Sequence, residues 1–135
     1  MDPVEDLSAP ITVNVAAQPD ALHILRVVAA SAAALLQMPF DAVDEVRIAV
    51  DEAGVLLLAS SPAADALQLE ITTSDGSLVI TIGTDVPAAE WPRPIDRESW
   101  SWTVIQGLTL DPRFVSGDDG RPAIRFRTRP PVKTP

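Results

Sequence analysis

Hydrophobic positions along this chain switch repeatedly between a period of two and a period near 3.6, and each switch marks an element. Ile11, Val13 and Val15 alternate with Thr12 and Asn14, which predicts a strand over about 11–16. Leu22, Leu25, Val28, Ala32 and Leu35 then recur at helical spacing. Pro19 suits the first turn of that helix, which is expected to run to about Met38 before Pro39 and Phe40 break it. Val43, Val46, Val50, Ala53 and Leu57 form the stripe of a second helix, from Asp41, placed to cap it, to about Ser60. A turn at 62–65 leads into two strands, 67–73 and 78–84, joined by the hairpin signal Asp75-Gly76. Residues 85–97 contain Pro87, Pro92 and Pro94 and read as an irregular loop. From Ser99 to Leu110 the spacing is helical again, with Trp102, Ile105 and Leu108 facing inward. Two last strands, about 113–116 and 123–129, are expected to meet across Gly117-Asp-Asp-Gly120.

The order strand, two helices, two strands, helix, two strands predicts an α+β two-layer sandwich, about three helices on one face of a mixed or antiparallel sheet. The length of 135 residues fits one domain, expected over 11–129, with tails at 1–10 and 130–135. No internal repeat is visible.

Composition narrows the chemistry. A hydrophobic content of 47% is ample for a core. No apolar run approaches the roughly 18 residues that span a bilayer, and Met-Asp-Pro-Val-Glu-Asp has no basic export region, so a cytoplasmic, membrane-free protein is expected. The absence of cysteine excludes disulfides, zinc–thiolate sites and thiol nucleophiles. His23 is the single histidine, and nothing around it supports a metal cluster or a triad. Charge is unevenly spread: residues 1–120 hold all 19 acidic groups and five basic ones, whereas 121–135 hold five basic groups and no acid. Such a body repels nucleic acid and favours a basic protein partner, or simply keeps the domain soluble. Arg125, Arg127 and Arg129 alternate with Ile124, Phe126 and Thr128, so one face of the last strand is expected to be basic and the other partly buried.

The second helix carries most of the functional signal. Glu52 and Leu56 lie four residues apart and therefore stack on one side of it. Arg47-Ile-Ala-Val-Asp-Glu-Ala53 resembles the pattern Leu-Arg-x-Ala-Val-Asp-Glu-Ala-x-x-Asn of the bacterial anti-sigma factor serine kinases, members of the histidine-kinase-like ATPase superfamily. The predicted element order is also that of the family. The resemblance implies that Glu52 stands where the family has its general base, and that Leu56 stands where an Asn coordinates Mg²⁺. Mg²⁺ requires oxygen ligands and leucine has none.

Two further family segments serve the nucleotide. The Asp-x-Gly-x-Gly that receives adenine corresponds to Gly83-Thr-Asp-Val-Pro-Ala-Ala89, where Asp85, or Thr84 in a shifted alignment, takes the Asp position and Val86 and Ala88 replace glycines. The Gly-x-Gly-Leu-like lid corresponds to Ser99-Trp-Ser-Trp102. Ser99 and Ser101 are the remaining polar groups there, and Trp100 and Trp102 are large enough to fill the space of a triphosphate, unless they are ordinary core.

The expectation is a degenerate family member: an anti-sigma factor that sequesters a sigma factor by protein–protein binding, with Glu52 a vestigial base, no metal site, and neither ATP nor Mg²⁺ required. The resemblance also implies a small anti-sigma-factor antagonist as second partner, and a homodimer. An active ATP-dependent serine kinase acting on the antagonist is the first alternative. An ATP-independent module with a non-sigma partner is the second.

Overall fold

A computed structural model of the chain describes residues 6–88, 91 and 99–129. The expectations for 1–5, 89–90, 92–98 and 130–135 lie outside the described residues. The strands are β1 (Ile11–Ala16), β2 (Ala66–Ser74), β3 (Ser77–Thr84), β4 (Leu110–Ser116) and β5 (Pro122–Arg127), and the helices are α1 (Leu22–Leu35), α2 (Phe40–Ser60) and α3 (Trp100–Leu108). The strands form one sheet in the order β1-β2-β3-β5-β4, antiparallel at every pairing.

Register explains which face is buried. Val13 lies opposite Leu69, Leu69 opposite Ile82, and Ile82 opposite Ile124, so the apolar sets of four strands stand in one transverse row. That face is covered by the helices. α2 packs between α1 and α3 and also touches β3 and β5. Leu25, Ala29, Ala33, Val50, Ala53, Leu57, Leu69, Ile80, Ile82, Ile105 and Phe126 are fully buried between the layers. The other face presents Gln68, Glu70 and Arg125 to solvent.

Local chemistry sets the element ends. Asp75 and Gly76 both take positive φ, 52° and 80°, between the paired residues Ser74 and Ser77, as a two-residue hairpin with the right-handed twist of its strands requires. α1 stops three residues short of Met38. Met38 N–H donates to the Ala33 carbonyl at 3.1 Å and Gln37 N–H to that of Ala34 at 2.9 Å, a Schellman termination with Gln37 at φ 57°. Pro19 opens a separate 3₁₀ turn, Pro19–Ala21, rather than α1 itself.

Three expectations need correction. Asp41 does not cap α2: the helix begins at Phe40 behind Pro39, with no side-chain cap, and Asp41 lies inside the first turn, where its charge still meets the positive end of the dipole. α3 ends at Leu108, not Leu110, because Thr109 is extended and its hydroxyl bonds back to the Ile105 carbonyl at 2.7 Å. β4 accordingly starts at Leu110, three residues early, with a register shift between Leu110 and Arg113 that accommodates Asp111 at φ 50°. Within the segment expected to be a tail, Leu7 N–H donates to Thr73 Oγ1 at 3.1 Å.

Candidate functional site

α2 divides the candidate residues between two environments. Its inward side buries Val46, Ala49, Val50, Ala53, Gly54, Leu56 and Leu57. Gly54 is where α1 comes closest, since a Cβ there would overlap the Leu22 side chain. Leu56 is 8% exposed and belongs to the continuous core, whereas Glu52, one turn earlier, is half-buried in an outer recess with Arg26, Asp44, Arg47, Ile48 and Asp51. The helical pair predicted to share a ligand therefore straddles the boundary of the core.

Thr84 and Asp85 line a different recess, with Asn14, Ala66, Gln68 and Arg121. The Asp85 carboxylate accepts the Ala66 N–H at 3.1 Å and the Asp65 N–H at 3.0 Å, joining the end of β3 to the start of β2. The Ala66 amide first, and then the Asp65 and Asp85 amides and the Arg121 charge, hold its pKa below 3.8 against an opposing desolvation. Thr84 is buried, and its hydroxyl donates to the Val86 carbonyl at 3.2 Å.

At the start of α3, Ser99 caps the helix: its hydroxyl accepts the Trp102 N–H at 3.2 Å, taking up one of the amides that would face an anion. Ser101 is half-buried. The two tryptophans separate. Trp102 is buried and stacks on Phe114 with centroids 4.1 Å apart, while Trp100 is 75% exposed and does not fill the interior. Trp91 completes the cluster, edge-on to Phe114 at 5.5 Å, with its indole N–H on the Val115 carbonyl at 2.9 Å.

The predicted residues have three local settings: Glu52 lines the outer recess, Thr84 and Asp85 the recess beside Asn14 of β1, and Ser99 and Ser101 stand at the head of α3. The residues present do not fit Mg²⁺. Leu56 supplies no oxygen, and among the described residues no group of three or more His, Asp or Glu side chains could hold a metal ion. Both backbone amides bond to Oδ1 of Asp85, so this carboxylate oxygen serves the β2–β3 junction.

A feature missed in the sequence is a groove of about 560 Å³ on the outer surface between α1 and α2. Val27, Ala30, Ala34 and Val43 supply its apolar lining, and His23, Arg26 and Arg47 its basic groups. Arg26 is paired with Asp51 at 3.6 Å, and Arg47 with Asp44 at 3.5 Å. Nearby Val27, Leu35 and Phe40 are 49%, 50% and 80% exposed. The readable signal was a second stripe on α1, with Ile24, Val27, Ser31 and Leu35 repeating outside the one facing the core.

The chain folds as a two-layer sandwich with α2 at the centre of its helical layer. Among solved structures, the RsbU and RsbW domains of Rv1364c from Mycobacterium tuberculosis superpose with a TM-score of 0.61 at 14% identity, over 94% of this chain and 35% of that one. This chain spans about a third of that protein's length, and the likeness is one of fold. No family model matches the sequence, and no curated protein does. No helix among the described residues is long and apolar enough to cross a membrane.

Proposed function

We propose that this chain is an anti-sigma-type binding protein that holds a sigma factor through surface contacts and works without nucleotide. The observation that carries this reading is Leu56: the position where the resembled kinases need an oxygen ligand is a core leucine on a helix of the same fold. Further support comes from the bonding of Asp85 and Ser99 to local backbone amides, and from the exposed apolar groups beside the α1–α2 groove, the surface on which the sigma factor docks. A small antagonist competes for that surface and releases the sigma factor.

Self-association fits the two edges of the sheet. β1 is an outer strand of uncharged residues, so two copies can pair antiparallel along it, whereas β4 is blunted by Asp111, Pro112, Arg113 and its register shift.

Pull-down of purified protein against the sigma factors of its own cell tests the reading, with retention of at least one expected. Retention of none overturns it. Calorimetric titration with Mg·ATP, read in parallel by intrinsic tryptophan fluorescence, is expected to show no saturable binding at millimolar nucleotide. Micromolar binding, followed by phosphoryl transfer to the antagonist, would instead establish the active kinase, with Glu52 orienting the serine hydroxyl.

A further inference from the structure

The open face of the sheet lies opposite the helices and plays no part in the reading above. The antiparallel register sets Arg113 of β4 directly across from Arg125 of β5 on that face, and like charges so placed repel. Their compensation is thin. Asp111 holds Arg127 through Oδ2 at 2.8 Å and approaches Arg113 through Oδ1 only to 4.0 Å. Among the described residues Arg125 has one hydrogen-bond partner, Thr81 Oγ1, which accepts from its Nε at 3.1 Å, and the side chain is exposed. Beside this pair is a shallow recess where Gly83 lies opposite Ala123, lined by Arg121, Arg125, Gln68 and Thr81, with Glu70 on the side away from Arg113.

We propose that this β4–β5 surface docks an acidic, extended segment of a partner protein. Neighbouring carboxylates would bridge Arg113 and Arg125 by paired N–H···O bonds and relieve their repulsion, and the chain would run over the low ground at Gly83 and Ala123 toward Arg121. Charge complementarity selects this occupant. The chain carries a net charge of −9, so a long polyanion such as nucleic acid would extend from the arginines over repelling surface. A short acidic segment meets only the local field, since charges more than about 8 Å away are screened at physiological salt.

Fluorescence anisotropy with a labelled oligo-glutamate peptide tests the proposal on the full chain. Saturable, salt-sensitive binding is expected, weakened at least about 5-fold in the double variant Arg113→Gln, Arg125→Gln. Arg113 and Arg125 are exposed, so the variant is expected to fold like the parent, as circular dichroism would verify. The reversed pair Arg113→Glu, Arg125→Glu should transfer preference to oligo-lysine. Equal affinity in parent and neutral variant, absence of saturation, or tighter binding of an oligothymidylate than of the peptide each overturns it.

Discussion

The inner and outer sides of α2 differ in what they can still bind. Inward, the helix presents Ala49, Ala53, Gly54, Leu56 and Leu57 to a continuous core. Outward, Arg47, Ile48, Asp51, Glu52 and Val55 face solvent, and the groove against α1 begins at Val43 and Arg47. Glu52 and Leu56 differ by about 40° around the axis, and that is enough to put one in a half-open recess and the other in the core. A motif position keeps its chemistry only while its side of the helix keeps its environment. At Leu56 the side chain offers no oxygen and the surrounding core is apolar; at Glu52 a half-buried carboxylate lies in the outer recess with Arg26, Arg47 and Asp51.

The strongest way to break this comparison is to restore the missing ligand. Leu56→Asn removes apolar packing and introduces an amide into the core, so a loss of about 3 kcal/mol is expected, with no gain of Mg·ATP binding. Thermal unfolding and calorimetry would measure both. An unchanged melting temperature together with nucleotide binding would show that the inner side remains a latent site.

Gly54→Ala probes the same side by adding one carbon where α1 crosses. The new methyl would overlap Leu22, and overpacking of this kind costs about 1–3 kcal/mol, offset by up to about 1 kcal/mol of helix propensity. A net loss near 1 kcal/mol is expected in chemical denaturation, and Leu22→Val in the same chain should recover part of it. A net gain would mean that α1 can withdraw, and that the helix layer is looser than its buried residues imply.

The same contrast explains what was legible in the sequence. Strands β1, β2 and β3 were readable to within a residue or two, because one covered face and one open face force strict alternation. Trp102 and Ile105 were readable as core for the analogous reason on α3. α1 was harder: it buries alanines, Ala29, Ala32 and Ala33, while Leu35, read as part of the buried stripe, is 50% exposed. In a helix this rich in alanine, size no longer distinguishes the two sides. The start of β4 was hidden because the helical repeat of Trp102, Ile105 and Leu108 carries no stop signal after it, while the actual break is the extended backbone of Thr109. At the candidate site, the residue types were legible from the motif. The commitment of Asp85 to two backbone amides was not, since it depends on where β2 starts, about 20 residues away in sequence.

On the outer side, substitutions should leave stability alone and remove binding. Phe40→Glu changes a side chain that is 80% exposed, so unfolding is expected to move by no more than about 0.5 kcal/mol while sigma-factor retention is lost. Comparable destabilisation by Phe40→Glu and Leu56→Asn would erase the distinction between the sides. Ser99→Ala, at the cap of α3, falls between the regions and should cost about 1 kcal/mol through the freed Trp102 amide.

The smallest effect, and the one that separates a structural from a ligand-binding carboxylate, belongs to Asp85. Its pKa is lower in the folded chain than the ordinary 3.8, chiefly through the Ala66 amide, so the folded state binds its proton less readily than the unfolded state does. The resulting stability is complete above the unfolded value and disappears as pH falls through the folded one. Asp85→Asn should therefore leave the acid side of the stability profile shallower below about pH 4, with a modest loss at neutral pH. A carboxylate that makes no such amide bonds in solution gains nothing from them on folding, and its removal would leave the acid limb unchanged. Measuring melting temperature from neutral to acid pH for both proteins distinguishes the two, and a shallower limb in Asp85→Asn would place this residue with Leu56, at a position the family resemblance marks for ligand and this chain uses for its fold.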